Sequence, residues 1–165
     1  MSLSEVDIFR EYAMTQSDIE LGEPATEQEI GDFEIQYGVK FPADVREFFL
    51  KINGVYVLGL HVDVDLRVDS GFVAIDSLSK WRLATEYDNY TSDYLSEKFL
   101  GEANHYFHFG NYDISAWDWF IKLNTNPEVE TPIVVILDKT TKVGENFTDF
   151  LQKFRLDDAL SLLGY

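Results

Sequence analysis

Residues 26–54 read TEQEIGDFEIQYGVKFPADVREFFLKING, and reading them as two short capped helices decides the fold. Thr26 is followed three residues later by Glu29, a capping box in which each side chain satisfies the other residue's free backbone N–H. Ile30, Phe33 and Tyr37 form one apolar stripe, and Gly38 is placed to adopt the left-handed conformation that closes the helix. Pro42 suits the first turn of the next helix, where its ring presets φ and no N–H is lost. Val45, Phe48, Phe49 and Ile52 then fall at i, i+3, i+4 and i+7, and Asn53-Gly54 ends the pattern. Helices this short do not persist alone, so each must bury its stripe against another element.

The flanking sequence supplies that element. SEVDIFREYAM (4–14) spaces Val6, Phe9 and Ala13 as one face of a further short helix. VYVLGLHVDVDLRVD (55–69) alternates as a strand, with Val62, Val64, Leu66 and Val68 on one face and His61, Asp63, Asp65, Arg67 and Asp69 on the other. Ser70-Gly71 reads as the turn into FVAI, making a hairpin. A helix is expected over 77–90, with Asp76 as N-cap and Leu78, Trp81 and Thr85 facing inward. Residues 88–104 are tyrosine-rich and acidic, helical in part around YLSEKFL. YFHF, SAWDWFIKL and PIVVILD read as three more strands, separated by GNYD, with Gly110-Asn111 as turn, and by NTNPEVET. FTDFLQKFRLDDALSLLGY is a last helix carrying Phe147, Phe150, Leu151 and Phe154 on one face. No repeat or linker interrupts this order. It predicts a single α+β domain over residues 1–165, a mostly antiparallel sheet packed with N-terminal helices and a C-terminal helix.

Composition narrows the function. The 165 residues fit one domain, and a hydrophobic share of 45% supports a real core. Thirty acidic against 13 basic residues leave a net charge of −17, a field that repels nucleic acid and attracts a basic protein. Residues 1–47 hold 12 acidic and 3 basic side chains, so more than half of that charge lies in the N-terminal helices. The absence of cysteine removes disulfides, thiolate-bound zinc and thiol catalysis. No apolar run approaches the roughly 20 residues of a membrane span, and the N-terminus lacks a signal-peptide pattern, so a cytoplasmic protein is expected.

The order of elements and their punctuation resemble the SUKH superfamily, also called the SMI1/KNR4 family. The resemblance is carried by Thr26-x-x-Glu29-Ile30, Tyr37-Gly38, Phe41-Pro42-Ala43-Asp44 and Asn53-Gly54, and more loosely by YFHFGNYD and FTDFLQKF, over about residues 20–155. It departs from the family pattern at Phe41, where leucine is common, and in VYVLGLHV, where a glycine-rich run is usual. The resemblance implies a non-enzymatic binding role, because many bacterial members are immunity proteins that neutralise toxins, often nucleases, of polymorphic or contact-dependent systems. Other members act as regulatory modules, which gives an adaptor for an endogenous protein as the alternative, and a metal-dependent hydrolase is the third reading.

YFHFGNYDISAWDWF (106–120) offers His108, Asp113 and Asp118 either as working groups in an aromatic cleft or as the polar side of two paired strands. Alternation puts Ile114, Ala116, Asp118 and Phe120 on one face and Ser115, Trp117, Trp119 and Ile121 on the other, so Asp118 lies opposite both tryptophans. The structural reading is the one expected. His105 and His108 differ by an odd number and cannot chelate together in a strand. His61, Asp63 and Asp65 share a face but need a third ligand from a neighbouring strand. DVDLRVDSG has Val68 where a calcium loop requires glycine. No catalytic, cofactor-binding or metal residues are expected, and no cofactor. The partner is expected to be a basic toxin domain, not nucleic acid or membrane. Its expected contacts are Asp63, Asp65 and Asp69, with the aromatics Tyr87, Tyr90, Tyr94, Trp117 and Trp119 as anchors.

Overall fold

Local signals in the N-terminal third form the elements they predict. The computed structural model describes residues 2–62, 68–112, 116–136, 139–156 and 159–164; for 58–62, 68–72 and 159–160 it is the backbone that is described. Helix α1 (Glu5–Met14) is capped by Ser4, whose hydroxyl accepts from the Asp7 N–H, and it buries Val6, Phe9 and Ala13. In α2 (Glu27–Tyr37) both halves of the capping box form: Thr26 Oγ1 accepts from the Glu29 N–H at 3.2 Å, and Glu29 Oε2 accepts from the Thr26 N–H at 2.8 Å. Gly38 closes it at φ +64°. Pro42 occupies the cap position of α3 (Ala43–Lys51), one residue ahead of the first turn. Val45, Phe48, Phe49 and Ile52 are all fully buried.

Asn53-Gly54 does more than end a helix. Asn53 (φ +47°) donates from Nδ2 to the Glu23 carbonyl and accepts at Oδ1 from the Leu78 N–H, so one side chain ties three segments together. The junction is tight: a Cβ on Gly22 would lie 2.2 Å from the Asn53 carbonyl oxygen.

Among the described residues eight strands form one antiparallel sheet: β1 (Ile19–Leu21), β2 (Val55–Val62), β3 (Val68–Ile75), β4 (Arg82–Leu83), β5 (Tyr106–Tyr112), β6 (Trp117–Lys122), β7 (Ile133–Ile136) and β8 (Thr140–Gly144). Their spatial order is β1-β2-β3-β5-β6-β7-β8, with β4 beside β5 on the edge that β3 also uses. The sheet therefore follows chain order, and each strand meets a sequence neighbour.

Three expectations are corrected. Ser70-Gly71 is not a turn: Gly71 pairs with Leu60 inside the β2–β3 ladder, and Val62 pairs with Val68, so the strands join through 63–67. Gly110-Asn111 is not a turn either, since β5 runs on to Tyr112 and pairs Asn111 with Asp118. Residues 77–90 are not a helix. The chain leaves β3 as Asp76 donates its N–H to the Phe109 carbonyl, makes 3₁₀ turns at Leu78–Lys80 and Ala84–Glu86, and returns to β5 as β4 between them. Ladder hydrogen bonds to β5 outcompete helix propensity here. Leu78 and Trp81 are buried as expected, but Thr85 is exposed.

Glycine 110 shows why a turn-forming residue sits within a strand. A Cβ there would lie 2.4 Å from the Ala74 carbonyl oxygen and 3.3 Å from the Trp119 ring, at a register irregularity between His108 and Gly110. Gly110→Ala should push β3 from β5 and cost about 1–3 kcal/mol, the usual range for overpacking; urea unfolding measures it, and an unchanged midpoint would contradict the packing.

The strands bury both faces. On one, Val73, Ile75, Phe107, Phe109, Trp119, Ile121, Ile133 and Val135 pack against α1, α2, α3, α5 (Phe147–Arg155) and α6 (Ala159–Leu162). Trp81 lies between these layers, its ring 4.9 Å from Phe49 and 5.4 Å from Phe109. On the other face Phe120, Val134 and Ile136 pack under α4 (Ser92–Lys98) and the segment around it, with Leu95, Phe99 and Tyr106. Among the described residues no helix is long and apolar enough to cross a membrane.

Candidate functional site

Alternation along β5 and β6 sends His108, Asp118 and Phe120 to the second face, where apolar cover is incomplete and polar groups must satisfy one another. Asp118, wholly buried, accepts from Tyr90 OH at 2.6 Å and Tyr87 OH at 3.1 Å. His108 Nε2 hydrogen-bonds to it at 2.9 Å. The His108 ring, 2% exposed, stacks on Tyr87 at 3.9 Å. Its Nδ1 faces the Asp76 carboxylate at 3.7 Å. Tyr90 stacks in turn on Tyr94 at 5.3 Å. These six residues, Asp76, Tyr87, Tyr90, Tyr94, His108 and Asp118, thus form one network, which pins the tyrosine segment down onto the sheet.

Its chemistry is directed inward. Three neighbouring groups converge on the Asp118 carboxylate. Burial, then the bond to Asp118, raises the Tyr90 pKa and keeps its proton in place. Burial also raises the Asp76 pKa, outweighing the opposing pull of His108, Lys80 and Arg82. The folded state therefore holds the Asp76 proton to higher pH than the unfolded chain does. Stability from this group falls as pH climbs from the ordinary value of about 3.9 through the raised one, and stays lost at neutral pH. Asp76→Asn should accordingly melt higher than wild type at pH 7, with the difference shrinking as pH falls below 4; the same gap at both pH values would contradict this.

The expected contact residues separate. Tyr87, Tyr90 and Tyr94 are half-buried on the second face, and Trp117 is half-buried at the start of β6 against Tyr112. Trp119 does not belong with them: it is 1% exposed, and its indole N–H donates to the Leu162 carbonyl at 2.7 Å, making it a core anchor. Asp63, Asp65 and Asp113 lie outside the described residues, as do the side chains of His61 and Asp69. His105 ends a 3₁₀ turn and is exposed, so it is separated from His108 by more than strand alternation. No three His, Asp or Glu side chains gather as a metal-ligand group among the described residues.

The acidic surface is unevenly neutralised. Lys40 and Arg46 meet the buried Glu34, Arg46 also meets Glu27, Lys51 bridges Asp7 and Glu47, and Arg155 meets Glu5. Glu11, Asp18, Glu20 and Glu23 are exposed and have no ion-pair partner among the described residues. They lie on and around the edge strand β1, where exposed charge also blocks edge-to-edge pairing. A groove of about 340 Å³ runs between Asp44, Glu128, Glu130 and Glu145, with Val129 45% exposed beside it. A cleft of about 350 Å³ opens between α2 and the 3₁₀ turn at Leu78–Lys80. Sequence reading missed both concavities; the one available signal was the charge of NPEVET, because their walls come from distant segments.

Comparison with known proteins gives a family: residues 24–153 match the model described as SMI1 / KNR4 family (SUKH-1), well over half of the chain. No curated protein matches it.

Proposed function

The chain belongs to the SMI1/KNR4 family (SUKH-1), and we propose that within it the protein is a non-enzymatic immunity domain that binds a basic toxin domain and covers its cationic substrate groove. The observation that carries this reading is the net charge of −17, with Glu11, Asp18, Glu20, Glu23, Glu128 and Glu130 exposed around one fold of the family type. Such a field accelerates encounter with a cationic partner and disfavours acidic ones, while a few aromatic contacts supply residence time. Trp117, Tyr87, Tyr90 and Tyr94 are the aromatic contacts proposed. Asp63, Asp65 and Asp69 are the carboxylate contacts proposed with them.

The test is co-expression with the product of the adjacent gene, followed by co-purification and a growth assay. Complex formation with protection, and an association rate that falls steeply between low and physiological salt, supports the proposal. A complex with an endogenous protein and no protection replaces it with the adaptor reading. No complex and no protection would remove it.

A further inference from the structure

The cleft between α2 and the Leu78–Lys80 turn has walls of a particular chemistry. The half-buried Tyr37 supplies aromatic surface, the largely buried Phe33 and Trp81 add a little more, and the exposed Glu29 and Asp32 line the cleft with them. The tyrosine ring is held from behind, packed on Phe33 at 4.6 Å and edge-on to Phe107 at 5.2 Å, and its hydroxyl donates to Glu86 at 2.9 Å. Trp81 is locked by its indole N–H on the Asp76 carbonyl. Both rings are therefore preorganised, so a ligand need not order them. At about 350 Å³ the cleft lies near the lower end of the usual range of ligand pockets, about 300–1,000 Å³.

Asp32 accepts from Gln28 and Glu29 from Thr26, both neutral groups, so neither carboxylate has a cationic partner among the described residues. An accessible tyrosine ring in a cleft lined by unneutralised carboxylates fits a planar cation, which gains from both. A neutral or anionic side chain gains from neither. Lys80 is drawn away from the mouth by its bond to Tyr56 OH.

We infer that this cleft is the docking pocket for an arginine side chain of the protein partner. The inference rests on the proposed basic partner, but its test does not need that partner. The ¹⁵N-labelled chain is titrated with acetyl-Gly-Arg-Gly-amide and with acetyl-Gly-Gln-Gly-amide. The arginine peptide is expected to shift the Asp32 and Leu78 amides and the Trp81 indole N–H along one saturating curve, and the glutamine peptide to leave them in place. Asp32→Asn should weaken binding about threefold, the worth of one exposed charge pair. Glu128→Gln/Glu130→Gln should leave it unchanged. Equal shifts with both peptides, shifts spread along β1 and the 127–131 loop, or no effect of Asp32→Asn would overturn the inference. Those outcomes leave the immunity reading standing, whereas saturable arginine binding together with no complex and no protection in the co-expression test would preserve the pocket and remove that reading.

Discussion

Asp118→Ala is expected to destabilise the protein by about 3–5 kcal/mol, the range for removing one partner of a buried charged cluster. The carboxylate is wholly buried, and Tyr90, His108 and Tyr87 meet it at 2.6, 2.9 and 3.1 Å. Its loss leaves Nε2 of the His108 ring, itself 2% exposed, without that partner. The two tyrosines, half-buried, recover part of the loss by turning to water. Against a total stability of about 5–15 kcal/mol for a domain, this is a large fraction. Asp118→Asn keeps shape and an acceptor and should cost about 1–3 kcal/mol. Urea unfolding gives the sizes, and hydrogen exchange gives the place: amides of 84–106 should lose protection before those of α2 and α3. A change below 1 kcal/mol with unaltered exchange would show that the cover does not depend on the cluster.

Trp119→Ala is expected to cost a similar amount, about 3–5 kcal/mol, through the cavity left by a buried ring. The indole is packed 5.1 Å from Phe150 and 6.5 Å from Phe109, and its N–H reaches the Leu162 carbonyl at 2.7 Å. Two consequences separate it from a generic core deletion. Trp119→Phe should keep most of the packing but release α6, seen as selective loss of exchange protection and earlier proteolysis near residue 162. Trp117→Ala, two residues earlier on the same strand face, removes a half-buried ring and should cost less than half as much. Equal losses at both positions would mean that the two tryptophans share one environment.

The difference between these neighbours marks where sequence reasoning stopped. Period-two alternation assigned Trp117 and Trp119 to one face and Asp118 to the other, and the strand pairing agrees. It did not tell that the face ends in a half-exposed position at 117 and a closed one at 119, because burial depends on α5 and α6 lying across β6. Gly110 reads as a turn in sequence for a related reason. Glycine also serves where another backbone comes close, and that neighbour is invisible along the chain. The cluster at Asp118 left a single trace in sequence, a carboxylate in an otherwise apolar strand. Its partners come from residues 76, 87, 90 and 108, with no local pattern joining them.

Sequence by itself determined the helix pair, its caps, the amphipathic faces, the alternation of most strands and the family pattern. Each of these depends on groups within a few residues of one another, where covalent spacing fixes who can meet. Tertiary structure alone decided which glycines are strand positions, which aromatics remain at the surface, how Asp118 gathers its donors and where the two concavities open. Those features join residues tens of positions apart, and their energies arise only after sheet pairing has removed water and brought the segments together.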